Sequence, residues 1–174
     1  MSKLQLKQHV QSLTREQVID LLMQVYDADK GARQWLDYYL QPEPDNRLEQ
    51  CKRLITEEFY PAGGGEPALR LPVCRQIILD FKKLKPGDEQ VAELMVYFVE
   101  TACRYAHDNE LTWNQYYQAL ARNFVATMKF LKTHDLIARF QPNLDNILRY
   151  AQNCAWGFDD IMNDIYSAYT SDNE

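Results

Sequence analysis

Apolar residues along this chain recur every three to four positions, the spacing that gathers them on one face of an α-helix. Val18, Leu21, Leu22 and Val25 follow Thr14-Arg15-Glu16-Gln17. That tetrad is a capping box, in which the threonine hydroxyl accepts from a free backbone N–H and the glutamine reaches back. A helix is therefore expected over 15–28, preceded by a shorter amphipathic turn or two carrying Leu4, Leu6 and Val10. Gly31 allows a break or bend, and Trp35, Leu36, Tyr39 and Leu40 mark a second helix that stops before Pro42. The segment 42–45 reads as a turn, with Asp45 as cap for a third helix through Leu48, Cys51, Leu54, Ile55 and Phe59.

The clearest interruption is YPAGGGEPALR, residues 60–70, where three consecutive glycines between two prolines exclude helix and strand and predict a mobile loop. Pro72 suits the first turn of a fourth helix whose stripe is Cys74, Ile77, Ile78, Phe81 and Leu84. Asp88 is expected to cap a fifth helix, with Val91, Leu94, Met95, Phe98, Ala102 and Tyr105 on one face. A second capping box, Thr112-Trp113-Asn114-Gln115, opens a sixth through Tyr116, Leu120, Phe124, Met128 and Leu131. After a break near His134-Asp135 and a short turn (Leu136, Ile137, Phe140), one long terminal helix is predicted from Leu144 through Ile147, Cys154, Phe158 and Ile161 to Tyr169. The best strand candidate, 68–73, is short and contains Pro72.

The expected fold is all-α, with about seven helices in a bundle or stacked hairpins and no significant sheet. It is read as one domain over 1–174, with a three-helix front part (1–60), the glycine-rich loop (61–70) and a rear helical part (71–174). Six glycines and seven prolines in 174 residues suit a few long helices better than the many turns of a β-sandwich.

Composition narrows the function classes. With 46% hydrophobic and 25% charged residues the chain is globular, and no window approaches the roughly 18–20 apolar residues of a membrane span. The amphipathic start MSKLQLKQHVQSL lacks the apolar core and cleavage site of a secretory signal, so a cytoplasmic address and no membrane partner are expected. Cys51, Cys74, Cys103 and Cys154 each stand at an apolar helical position and read as buried free thiols. A net charge of −6 disfavours a general nucleic-acid binder without excluding a local basic patch.

Four segments carry a resemblance: LTREQ at 13–17, FYP at 59–61, LRLPVCRQIILDFKKL at 69–84, and WGFDD at 156–160. Together they resemble a family of small, all-helical bacterial proteins classed only as a domain of unknown function. The resemblance spans most of the chain and implies a bacterial cytoplasmic protein. It assigns no catalytic residue.

Candidate chemistry is sparse. Arg70, Arg75, Lys82, Lys83 and Lys85 stand against a single acid, Asp80, within sixteen residues of an otherwise acidic chain. Arg75 and Lys82, seven apart, share a helical face, so Arg70, Arg75, Lys82 and Lys83 are candidates to dock an anion or an acidic partner. The alternative is a solvated face that pairs with the protein's own acids. His107, His134, Asp135 and Asp160 follow the order of histidines and aspartates in all-α metal-dependent phosphohydrolases, where imidazole and carboxylate hold a water-activating metal. Both histidines, however, fall at predicted helix ends, where His–Asp pairs also serve dipoles and caps. Asp159, Asp160, Asn163 and Asp164 cluster on the last helix but depart from the spacing of diphosphate-binding motifs. No phosphate-loop, Cys-x-x-Cys or Gly-x-Ser-x-Gly template is present, so no cofactor is expected.

The aromatic residues come partly in pairs: Tyr38-Tyr39, Phe59-Tyr60 and Tyr116-Tyr117. Neighbours on a helix point about 100° apart, so each pair needs cover on two sides or leaves one ring for recognition. Gly157, between Trp156 and Phe158, is expected to allow close helix approach. The best reading is a non-catalytic interaction or regulatory module whose partner is another protein or a second copy. A metal-dependent phosphohydrolase and a structural homodimer are the alternatives.

Overall fold

In the computed structural model the described residues are 2–40 and 44–171, with Pro44 and Asp45 described by their backbone alone. Among them there are nine α-helices, two 3-10 turns and no strand, so the all-α expectation holds. None of these helices is long and apolar enough to cross a membrane. The chain divides into two compact units, 1–43 and 44–174.

The first unit holds α1 (Lys3–Ser12), α2 (Arg15–Ala28) and α3 (Lys30–Leu40). The Thr14 box forms as expected, with the Gln17 N–H donating to Thr14 Oγ1 at 3.2 Å and the Thr14 N–H to Gln17 Oε1 at 2.9 Å. A box not foreseen at Ser2 and Gln5 turns the predicted opening turn into a full helix, α1. The corner between α2 and α3 falls at Asp29, whose carboxylate accepts from the Ala32 N–H at 2.6 Å, and Gly31 continues inside α3. A glycine permits a break, but the side chain that can satisfy free N–H groups decides where one falls.

The second unit is built around α6 (Asp88–Asp108). Packed on α6 are α4 (Pro44–Phe59), α5 (Leu71–Lys83), α7 (Asn114–Thr133) and α8 (Gln141–Ala151). The remaining helix, α9 (Phe158–Thr170), packs on α7 and α8. Helix α6 buries residues over about 220° of its circumference, among them Val91, Leu94, Phe98, Val99 and Cys103, and leaves Glu93, Tyr97, Glu100 and Arg104 on the remaining face. Ala92, Ala102 and Ala106 keep parts of its surface low for its neighbours. Phe59 of α4 reaches the Phe98 ring at 6.4 Å, and Tyr116 of α7 donates its hydroxyl to the Ala102 carbonyl at 2.9 Å. Helix α4, grouped by sequence with the front part, thus packs in the second unit. The glycine-rich loop lies within that unit instead of dividing the chain. The turn expected at 42–45 falls largely outside the described residues.

Four further expectations change. Trp113, not Thr112, is the N-cap of α7, and no side chain caps it. The Thr112 carbonyl instead accepts from Trp156 Nε1 at 2.8 Å. Asp88 is the first residue of α6 and not its cap, a position held by Gly87 at φ 126°. The single terminal helix is broken into α8 and α9 by Asn153, Trp156 and Gly157, at φ values of 61°, 67° and 61°. A side chain added to Gly157 would meet nothing within 4 Å, so this glycine serves its left-handed backbone and not a close helix approach. The broken helix and the full α1 account for nine helices where about seven were expected.

Helix ends were also less visible than starts. After α6 the Leu111 N–H bonds the Ala106 carbonyl at 3.1 Å, and after α7 the Leu136 N–H bonds the Leu131 carbonyl at 2.8 Å. Both are Schellman closures, but their left-handed residues are Glu110 and Asp135 instead of glycine.

Candidate binding groove

Helices α5 and α7 both lie on α6 and leave a groove between them. One flank is the α5 stripe Pro72, Arg75, Gln76 and Leu79, continued by Lys82. The other is the α7 stripe Ala119, Arg122, Asn123 and Ala126. Both sets repeat at three and four residues, the spacing of a single helix face. A central cavity of about 580 Å³ shares Leu71, Pro72 and Ala119 with a second of about 630 Å³ that extends to Leu69 and Trp113. It shares Arg75, Leu79, Asn123 and Ala126 with a third of about 160 Å³, floored by Met95 and Phe98 of α6 and reaching Lys82. The three form one trough, with Trp113 at one end and Lys82 at the other. Alanines at 119 and 126, on a helix otherwise rich in large side chains, leave the room.

The trough's walls carry cations without acids. Arg75, Arg122 and Lys82 line it, and among the described residues no aspartate or glutamate does. Among the described residues neither arginine makes an ion pair or a side-chain hydrogen bond. Lys82 holds its Nζ 4.6 Å from the Phe130 ring centroid, a cation–π contact that leaves its hydrogen-bond donors available. In a chain of net charge −6 these three exposed cations set a locally positive field over one concavity.

The four candidate basic residues therefore separate. Arg75 and Lys82 face the groove. Arg70 is taken by Glu58 at the end of α4, through Nε to Oε2 at 2.9 Å and Nη2 to Oε1 at 2.6 Å, and its backbone N–H donates to Oε2 at 3.3 Å. Lys83 pairs with Asp80 at 2.7 Å. The forked Arg70 donor holds the buried Glu58 carboxyl below its ordinary range against the opposing effect of burial. With the Leu69 N–H on the Glu58 carbonyl at 2.9 Å, this pins the end of the glycine-rich loop and sets the start of α5. Leu69 occupies φ 52° there, so the turn into the groove wall is held in a backbone conformation that costs about 1 kcal/mol or more.

The candidate metal residues do not meet. His107, near the end of α6, lies with Nδ1 3.0 Å from the Asp108 carboxylate. His134, at the end of α7, lies 3.1 Å from Asp88, the first residue of α6. The two histidines thus sit at opposite ends of a 21-residue helix, roughly 30 Å apart. Asp135 follows His134 as the left-handed closing residue of α7, and Asp160 lies in the first turn of α9, whose Phe158 packs on Tyr117 near the start of α7. Among the described residues no three histidine, cysteine or acidic side chains gather as a metal site.

The cysteines are free thiols, three buried and Cys154 half-buried. Burial pushes the Cys74 thiol up to about 12, which removes it as a nucleophile. The aromatic pairs resolve individually. Tyr116 and Tyr117 are both buried because α7 is covered by α6 and α9, Phe59 is buried with Tyr60 half-buried, and Tyr39 is left open.

Arg122, the two alanines and Trp113 escaped sequence reading. The signal on α7 was a stripe of small and polar residues at 119, 122, 123 and 126 flanking its apolar face, which reads as ordinary solvent exposure until α5 is placed beside it.

The molecule is thus an all-helical protein with an open, cation-walled groove. Residues 1–170 match the model of the family of unknown function DUF6155, and the chain belongs to that family. No curated protein and no solved structure matches it.

Proposed function

We propose that the protein is a non-catalytic binding module of the cytoplasm whose α5/α7 groove takes an acidic segment of a partner protein. The observation that carries this reading is the pair Arg75 and Arg122 on the two walls of the groove, without an ion pair and without a lining carboxylate among the described residues. The apolar contribution comes from Leu79, Pro72 and the exposed Trp113, which suits a segment that alternates acidic and apolar side chains. Guanidinium groups bind carboxylates in a forked geometry, so two of them give register as well as attraction.

The test is a titration with a fluorescein-labelled peptide of alternating glutamate and leucine, against a lysine–leucine control. Binding should weaken with added salt, and the double substitution Arg75→Glu with Arg122→Glu should weaken it about tenfold or more. Equal affinity in the double variant would defeat the reading. So would tighter binding of a single-stranded oligonucleotide than of the acidic peptide.

A further inference from the structure

The smallest of the three cavities in the α5/α7 groove differs from the other two in where it leads. It opens onto α6, with Met95 and Phe98 as its floor and Leu79 and Ala126 in its walls. Met95 stands inside the buried arc of α6, at an angle between those of Ala102 and Ala106, yet is itself only half-buried. A core-facing position on the central helix is therefore left partly uncovered by the protein's own side chains. Leu79 is 43% exposed, so the cavity communicates with solvent. The polar side chains that α7 contributes direct their donors elsewhere. Asn123 Nδ2 donates to the Ala119 carbonyl at 2.8 Å and the Thr127 hydroxyl to the Asn123 carbonyl at 2.9 Å, both within α7. The exposed Arg75 and Lys82 complete the lining.

We propose that this cavity is the anchor subsite of the groove and takes one phenylalanine side chain of the acidic partner segment, an inference that rests on the groove reading above. Size is the first argument. At about 160 Å³ the cavity is well below the roughly 300 Å³ at which small-molecule sites begin, whereas a dry apolar cavity of about 150 Å³ takes one benzene ring. The lining is the second. A ring meets the Met95 thioether and the Phe98 ring at the floor, and both attract an aromatic group beyond simple burial. Arg75, which has no carboxylate partner, offers its guanidinium plane to the ring, and the Lys82 ammonium already lies 4.6 Å from one aromatic centroid, that of Phe130. A leucine gains burial alone. A basic side chain meets two like charges, and a polar one finds the donors of Asn123 and Thr127 engaged. Charge complementarity is the third argument, because the two cations that border the ring also meet acidic residues on either side of it. An aromatic anchor in an apolar pocket with a charged rim is the arrangement in which a few residues carry most of a binding energy.

The experiment titrates the full chain with versions of the glutamate–leucine peptide that carry leucine, phenylalanine or alanine at the central apolar position. Phenylalanine should bind about tenfold tighter than alanine and about threefold tighter than leucine. Ala126→Leu puts a large side chain into the cavity from an exposed position of α7, where leucine suits the helix, and should bring the phenylalanine-to-alanine ratio down to about one. Equal affinity of the phenylalanine and alanine peptides for the wild type overturns the anchor and leaves the groove reading standing. Tighter binding of the leucine peptide than of the phenylalanine one overturns the aromatic assignment. A ratio that persists in Ala126→Leu overturns the anchor as well, since the ring then sits elsewhere. Absence of salt-sensitive binding by all these peptides defeats the groove reading itself and the anchor with it.

Discussion

Helix α2 and helix α7 have much the same sequence texture, with apolar residues at three- and four-residue intervals, but they carry different weight in the molecule. Helix α7 buries Tyr116, Leu120, Phe124, Met128 and Leu131 between α6 and α9. Helix α2 buries none of its residues. Periodicity reports that a helix has an apolar side; it does not report how many neighbours arrive to cover it. Most helical stability in proteins comes from tertiary cover, so the two helices should respond very differently to the same kind of change.

The sharpest contrast is expected from truncating one large apolar residue in each. Phe124→Ala opens a cavity in a fully buried site and should cost about 4 kcal/mol in chemical denaturation. Leu22→Ala in the first unit should change the stability of the isolated chain by no more than about 0.5 kcal/mol. Similar losses at both positions would mean that α2 is covered as fully as α7.

Hydrogen exchange offers a graded version. Amides in the middle of α6 should exchange only through global unfolding, whereas those of α1–α3 should exchange orders of magnitude faster. Comparable protection would erase the distinction between the units.

Within the second unit, the Glu58–Arg70 latch should be worth less than a core phenylalanine. Glu58→Gln is expected to cost about 1–2 kcal/mol near neutral pH. Because the Glu58 carboxyl is held below its unfolded value, its contribution is present above that unfolded value and is lost as pH falls through the folded one. The stability difference between wild type and variant should therefore shrink in acid, below about pH 4. A difference that stays constant down to pH 3 would remove the ion pair as its cause.

The smallest effect is expected at the left-handed ends of α6 and α7. Glu110→Gly or Asp135→Gly should stabilise by roughly 0.5–1 kcal/mol, since glycine adopts φ near +50° without strain. Destabilisation at either would show that the side chain makes contacts that outweigh the backbone relief.

Much of the helical layout was legible beforehand because its causes are local. The Thr14–Gln17 box, Pro72 in the first turn of α5 and the unbroken stripes of α4 to α7 all act within a few residues. Misreadings cluster where a distant group intervenes. The Thr112 box failed as α7 starts one residue later, with the Thr112 carbonyl engaged by Trp156, 44 residues on. The terminal helix broke at Asn153 to Gly157 because that segment turns α9 back onto α7 and α8. In the groove, half the site was legible: Arg75 and Lys82 share a face of α5 by spacing alone. Arg122 was not, because nothing local to α7 distinguishes a groove-lining arginine from a solvated one.

The basic segment at 70–85 shows the division most clearly. Sequence alone determined that the segment is a helix and that it concentrates cations in an acidic chain, since both follow from residue order and short-range geometry. Only tertiary structure decided which cations are free. Glu58 reaches Arg70 from α4 and α7 brings Arg122 opposite Arg75, whereas Lys83 pairs locally with Asp80 three residues before it on α5. The physical reason is range: hydrogen bonds and helix faces are set over a few ångströms along the chain, whereas the field in a groove is set by whichever charges the fold carries to its walls.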